Sequence, residues 1–149
     1  MSKKSAKIAA LIESFRGRDL DPHYLGYFEC FNQGLYYEAH DVLEPLWLLD
    51  RHGRNGAFYK GLIQFAGAFV HMQKHTPSLP RLKPGAALLR LALENFAGYP
   101  AAHEQLDLAQ LRLDAARWIR ALELGCHQTN PLVPGHAPRL ELLPPASAA

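Results

Sequence analysis

Histidine, carboxylate and aromatic side chains recur at helical spacing in residues 36–47, and they are the groups in this sequence best suited to chemistry. At about 100° per residue, one side of a helix over this stretch collects Tyr36, Tyr37, His40, Glu44 and Trp47. His40 and Glu44 lie one turn apart on the same face. An imidazole beside a carboxylate can transfer a proton or help to bind a metal ion.

A second polar stripe follows in residues 60–71, where Gly61 and Gly67 flank Lys60, Gln64, Ala68 and His71. Only the short loop 52–56 separates the two stretches, so we expect their helices to pack as an antiparallel pair. The register that follows places these neighbours together: His40 with Gln64 and Gly67, Glu44 with Lys60 and Gln64, Trp47 with Lys60, and Tyr36 with His71.

Three interpretations of this predicted polar cluster stay open. The first is a buried hydrogen-bond network that fixes helix register, with Glu44 accepting from His40, Gln64 or Lys60. The second is an acid/base site or a divalent metal site with His40, Glu44 and His71 as ligands, completed by Gln64 or water. The third is a pocket for a small ligand, walled by the aromatic side chains.

Helices are the elements that would position these residues, because no stretch shows sustained apolar and polar alternation over strand length. An Asp21–Pro22 start, a Gly34 stop and an Asp107–Gln110 capping box mark helix ends. We predict an all-α, single-domain bundle of about five to six helices in residues 1–125. An extended, proline-rich C-terminal tail should follow in residues 126–149. The predicted helices cover approximately residues 3–15, 22–33, 35–50, 57–74, 84–96 and 108–124.

The aliphatic heptad positions of the third predicted helix should face the core; they are Leu35, Ala39, Val42, Leu46 and Leu49. Pro45 removes one backbone hydrogen bond and should kink this helix. The fourth predicted helix is apolar over most of its circumference, which is typical of a central helix. Glu38 and Asp41 should face solvent. Most histidines of loops and helix ends should also be exposed; they are His52, His75, His103, His127 and His136.

Composition limits the environment and the partners. The chain has 149 residues, 48% of them hydrophobic and 20% charged, and its net charge of +2 gives little reason to expect a nucleic-acid partner. Arg112, Arg117 and Arg120 could form a basic strip, but pairing with nearby acids explains them as well. The longest apolar run, residues 61–70, is too short for a bilayer. Together with two widely separated cysteines, this predicts a cytoplasmic protein without a membrane segment.

Two segments resemble the signature of a known family. Residues 31–47, FNQGLYYEAHDVLEPLW, and residues 60–71, KGLIQFAGAFVH, are similar to the bacterial and archaeal domain of unknown function 309 family. The resemblance covers residues 24–96 and implies a small all-helical fold without an established activity. Asp41 stands where the family usually has a glutamate. The motif positions implied by the resemblance are Asn32, Gly34, Glu38, His40, Glu44, Trp47, Gln64 and His71.

The resemblance adds Glu38 to the cluster, so the complete candidate site consists of Tyr37, Glu38, His40, Glu44, Trp47, Lys60, Gln64 and His71. The favoured function is binding of a small ligand or a divalent metal in a polar cleft between the central helices, with hydrolysis as one reaction such a cleft can support. The alternative is a non-enzymatic structural or interaction module, a homodimer with contacts made by the tail. The sequence does not decide whether any reaction is catalysed.

Overall fold

The structure, a computed structural model, describes residues 3–17 and 19–144, with side chains from residue 6 onward. Residues 145–149 of the predicted tail lie outside the described residues. The prediction of an all-helical chain is confirmed, with one small hairpin as an addition. The elements are α1 (Lys3–Ser14), α2 (Pro22–Asn32), α3 (Tyr36–Asp50), α4 (Gly56–Lys74), α5 (Leu82–Phe96), β1 (Ala102–His103), β2 (Leu106–Asp107) and α6 (Leu108–Leu124).

The helix-end signals lie where the sequence predicts them, but the capping box forms only in part, because the Gln110 side chain donates to Asp114 at 3.0 Å and not back to Asp107. The Asp21 carboxylate accepts a hydrogen bond of 2.8 Å from the His23 backbone N–H, directly before the proline that starts α2. Gly34 has φ +77°, the left-handed conformation that stops a helix and favours glycine. The Asp107 carboxylate accepts from the Gln110 N–H at 3.1 Å and caps α6. These local contacts fix where the long helices begin and end.

Helix α4 is the centre of the fold, packed against α3 on one side and α5 on the other. Its apolar side is fully buried, and the Tyr27 hydroxyl of α2 donates to the Leu62 carbonyl at 2.6 Å. The core side chains of α4 are Phe58, Tyr59, Leu62, Phe65, Ala66, Ala68, Phe69 and Met72. Among the described helices, none combines the length and apolarity that a bilayer-spanning segment needs.

Two predictions about α3 were wrong. Leu49 is 87% exposed. Helices α2 and α3 pack together where Gly26 approaches Val42. From this contact α2 extends only one more turn, to its start at Pro22, whereas α3 continues to Asp50. The last turn of α3 therefore has no α2 residue beside it. Tyr36 belongs to the aromatic core instead of the polar stripe. Its ring is buried at 5.0 Å from Phe31 and 5.3 Å from Phe69, measured between ring centroids.

The hairpin of β1 and β2 turns through Glu104 (φ 50°) and Gln105 (φ 58°), both left-handed. Each strand has only two residues and the turn has neither Gly nor Asn, so the usual sequence signals of a hairpin are missing. Contacts distant in sequence hold the turn: the Tyr24 hydroxyl donates to the Glu104 carbonyl at 2.8 Å, and the Leu143 N–H donates to the Gln105 carbonyl at 2.6 Å. Tertiary contacts therefore replace local propensity here.

Residue Asn32 holds the chain near Leu140 by two hydrogen bonds. Its Nδ2 donates to the Leu140 carbonyl at 2.8 Å, and its Oδ1 accepts from the Leu140 N–H at 2.7 Å. The Leu140 side chain is buried. Residues 140–143 thus lie across α2 and the hairpin, whereas the division of the chain into a bundle (1–125) and a tail (126–149) stays a prediction.

Substitution of Gly61 by alanine tests the close packing of α4 on α5. A Cβ at Gly61 would lie 2.5 Å from Cε1 of the fully buried Phe96 ring. Overpacking of this kind costs about 1–3 kcal/mol, so Gly61→Ala should lower the free energy of unfolding, measured by urea denaturation. Gly67→Ala is the matched control, because its Cβ would meet only the mobile end of Leu88 at 3.2 Å. Equal stability of the two variants would contradict the close approach.

Substitution of Asn32 by alanine tests the contact with Leu140. Loss of two hydrogen bonds, each contributing about 0.5–1.5 kcal/mol, should lower the free energy of unfolding. Trypsin should also cleave faster after Arg139, which precedes the released Leu140. Gln33→Ala is the control, since the exposed Gln33 side chain bonds, among the described residues, only to the Glu29 side chain. A cleavage rate in Asn32→Ala equal to that of the control would argue against this contact.

Candidate functional site

One long side of α4 stays partly open between α3 and α5, and we call it the α4 groove. The α4 residues along it recur at helical spacing and are half-buried or exposed, in contrast to the sealed apolar side of the same helix. A polar strip on a central helix needs polar partners or solvent. The α4 residues of the groove are Ala57, Lys60, Gln64, Gly67, His71 and Lys74.

The polar strip of α4 also contacts α5, a neighbour that the predicted pairing of α3 and α4 did not include. The Asn95 Nδ2 donates to the Gln64 Oε1 at 2.7 Å. Leu88 packs beside Gly67, and His71 lies beside Gly85. Gln64, Gly67 and His71 therefore all have contacts on α5. The glycines of α4 allow α5 to approach closely. The sequence prediction considered the faces of α3 and α4 alone, so it did not include this contact.

The α3 wall of the groove carries the histidine and carboxylate predicted to act together. His40 Nε2 lies 3.4 Å from Glu44 Oε2, and the side chains are 30% and 46% exposed. His40 Nδ1 lies 3.8 Å from Asp41 Oδ1. This nitrogen is buried and has no hydrogen-bond partner among the described residues. The pair is therefore open to solvent on one side and retains an unused imidazole nitrogen.

Contacts at both ends of α3 show that this wall borders α4. At one end, Lys74 Nζ lies 5.5 Å from the centre of the Tyr37 ring, which is 5.8 Å from the His40 ring. At the other end, Trp47 and Lys60 line the same pocket, as predicted. His40 and Glu44 lie between these ends on the same face of α3. Because Tyr37 and Trp47 on either side of them meet Lys74 and Lys60, we infer that His40 and Glu44 border α4.

The predicted three-ligand metal set does not form. Among residues 3–17 and 19–144, no three or more His, Cys, Asp or Glu side chains are grouped so that they could hold a metal ion. His40 and Glu44 are adjacent, but His71 lies apart from them beside α5. Burial, followed by the positive charges of Arg81 and Lys74, lowers the pKa of His71. Its surroundings therefore favour a neutral imidazole without a carboxylate partner.

Glu38 lines two pockets. One, of about 460 Å³, it shares with Tyr37 and Lys74, the contact at one end of the α3 wall. The other is a mainly apolar cavity of about 290 Å³ between α1, α2 and α3. Cys30 lines the same cavity, and burial raises the pKa of its thiol to about 11. Glu38 is half-buried, so the prediction that it faces solvent was wrong. The other residues that line this cavity are Lys7, Ile8, Ala10, Leu11, Gln33 and Leu35.

The groove widens at the start of α4 into two pockets that share Ala57 and Asn95. The first has a volume of about 510 Å³ and the second about 600 Å³. Sequence reasoning missed Asn95 and Arg51, although each continues a helical stripe: Asn95 lies seven residues after Leu88, and Arg51 lies four after Trp47. The first pocket is lined by Trp47, Arg51, His52, Gly56, Ala57, Lys60 and Asn95, and the second by Arg54, Ala57, Glu94, Asn95, Gly98, Tyr99, Pro100 and His103.

His103 is only 8% exposed, so the expectation of a solvent-exposed side chain was wrong for it. Its Nε2 lies 2.7 Å from Asn55 Oδ1, and its ring packs 4.8 Å from both the Phe58 and the Tyr99 rings. Burial lowers the pKa of His103. Of the other loop and helix-end histidines, only His52 and His136 are exposed, whereas His75 and His127 are half-buried.

The lowered pKa of His103 predicts an acid-sensitive contribution to folding. Below about pH 6.5, the unfolded chain binds a proton at this residue before the folded chain does, so stability falls as the pH falls. His103→Gln keeps an amide donor for Asn55 but cannot titrate. Between about pH 7.5 and pH 5, the melting temperature of His103→Gln should therefore fall by less than that of the wild type. His52→Gln, at an exposed position, should keep the wild-type loss; equal losses in all three proteins would contradict the assignment.

Comparisons with known proteins agree with the resemblance seen in the sequence. Residues 24–79 match the family model described as "Domain of unknown function (DUF309)", so the recognition of this family is confirmed over that segment. An "Uncharacterized protein" from Aquifex aeolicus (strain VF5) is 27% identical over 96 residues, which are 64% of this chain and 27% of that protein. The chain thus spans little more than a quarter of this relative's length. No solved structure matches the chain.

Proposed function

We propose that this chain, whose residues 24–79 match the DUF309 family, binds a small polar ligand in the α4 groove. The observation that carries the proposal is the convergence of polar side chains from three helices on one partly open face. Trp47 comes from α3, Lys60 from α4 and Asn95 from α5, and all three line one pocket; the Asn95 amide is in turn bonded to Gln64. Such convergence beside a pocket of about 510 Å³ is typical of small-molecule sites, which measure about 300–1,000 Å³.

Exposure favours a binding groove over the alternative of a sealed structural network. A buried network would enclose both partners of the His40–Glu44 pair, but these side chains are 30% and 46% exposed. Exposed pairs of this kind contribute little to stability, with a median of about 0–1 kcal/mol. The pair is therefore better explained by contact with a ligand than by a need of the fold.

The same pair can supply acid/base chemistry to a bound ligand. A carboxylate 3.4 Å from an imidazole nitrogen can orient the ring. Nδ1 of His40 is buried, so the partly exposed side of the His40–Glu44 pair is the group that a ligand would meet. A hydrolytic reaction would need this group beside a ligand that is already held by the groove. Binding is accordingly the step to test first.

A thermal-shift panel tests ligand binding in the groove. Nucleosides, amino acids, organic phosphates, carboxylates and neutral sugars would each be added to the wild type and the melting temperature measured. A ligand at ten times its Kd stabilises the folded state by about 1.4 kcal/mol. For a protein of this size, we therefore expect at least one class to raise the melting temperature by about 3–6 °C.

Two variants show whether the shift comes from the groove. Gln64→Leu removes the amide that accepts from Asn95, so it should abolish the shift. Gln110→Leu changes an exposed glutamine on α6 and should keep it. The proposal would be wrong if no class shifted the wild type, or if Gln64→Leu responded as fully as the control.

A further inference from the structure

The wide end of the α4 groove, where α3 ends and α4 begins, carries a charge pattern that specifies a ligand class. We propose that the first pocket there binds an anionic group, phosphate or carboxylate, carried on a flat ring. This inference rests on the proposed function, because it names the ligand of the same groove. It is argued from the charges, the aromatic wall and the volume of the pocket.

Positive charge dominates the first pocket. Arg51 and Lys60 line it, and neither side chain makes an ion pair or a hydrogen bond within the described residues. None of its lining residues is acidic. The acid nearest in sequence, Asp50, is committed to the loop, since its Oδ2 accepts from the Asn55 N–H at 2.9 Å. Two cations without a counter-charge can therefore pair with an anionic ligand.

The start of α4 adds to this potential. Gly56 and Ala57, its first two residues, line the pocket, so the positive end of the helix dipole lies at the pocket together with Arg51 and Lys60. The second pocket adds Arg54 and one acid, Glu94. The linings of the two pockets together contain three Arg or Lys side chains and one carboxylate. This net positive charge favours an anionic ligand.

The aromatic wall and the volume point to a ligand larger than an inorganic anion. Trp47 lies half-buried in the wall of a pocket of about 510 Å³. An indole face offers a stacking surface for a flat ring. The amide of Asn95, held by Gln64 at 2.7 Å, lies on the opposite helix and can bond to a polar edge of that ring. The pocket thus provides separate surfaces for charge and for a ring.

Fluorescence of Trp47 reports binding directly. The chain has two tryptophans, so Trp118→Phe leaves Trp47 as the only one. This variant would be titrated with phenyl phosphate, benzoate, inorganic phosphate and benzyl alcohol, and calorimetry on the wild type would repeat each titration. We expect phenyl phosphate or benzoate to bind at least about tenfold more tightly than benzyl alcohol and inorganic phosphate. The tighter of the two ring compounds identifies the anion.

Charge-removing variants locate the site. Arg51→Gln and Lys60→Gln are exposed changes that leave the core intact, and each should weaken binding of the tighter ring compound about tenfold. Lys83→Gln, an exposed change on α5 outside both pockets, should leave its affinity unchanged. Binding of benzyl alcohol as tight as that of the anions, or unchanged affinity in Arg51→Gln and Lys60→Gln, would overturn the inference.

The two proposals fail in distinguishable ways. If neutral compounds of the thermal-shift panel stabilise the wild type but not Gln64→Leu, while phenyl phosphate and benzoate do not bind at millimolar concentration, the groove binds ligands and the anionic class is wrong. If no compound of the panel and neither anionic probe binds, both proposals are wrong. Binding of the anions with loss in Arg51→Gln and Lys60→Gln supports both.

Discussion

The close approach of α4 and α5 at Gly61 is the contact on which the rest of the structure depends. A glycine at this position leaves room for the fully buried Phe96 ring, and no side chain could occupy the same space without displacing it. With the two axes fixed there, Asn95 reaches Gln64 one turn further along α4. α3 then packs on the other side of α4, and the polar strip of the central helix is left as the floor of a groove.

Helix limits and helix faces could be predicted from the sequence because their causes are local. Proline at the start of α2, the left-handed Gly34 and the Asp107 cap act within a few residues. Periodicity also identified α4 as the central helix. It could not identify which neighbour each face meets, and Gln64 and His71 were therefore assigned to α3 although α5 contacts them. Helical periodicity describes the faces of one helix, whereas this candidate site depends on how two or more helices pack together.

The features that sequence reasoning missed depend on contacts between residues far apart. His103 is buried because Asn55, Phe58 and Tyr99 surround it, and none of these residues is adjacent to it in sequence. Asn32 is a motif position whose partner, Leu140, lies 108 residues later, so a family signature could mark it without indicating its task. For Asn32 the task is structural, and the structure separates it from the residues of the groove.

The segment that matches the family does not contain the whole groove. Residues 24–79 include most of α2 and all of α3 and α4, and hence the wall with His40 and Glu44 and the floor with Gln64. The opposite wall, with Leu88 and Asn95, belongs to α5 and begins after the match ends. Since a ligand would contact both walls, the side chains of α5 contribute to its selection as much as the motif does. The chemistry of this groove must therefore be argued from the three helices together.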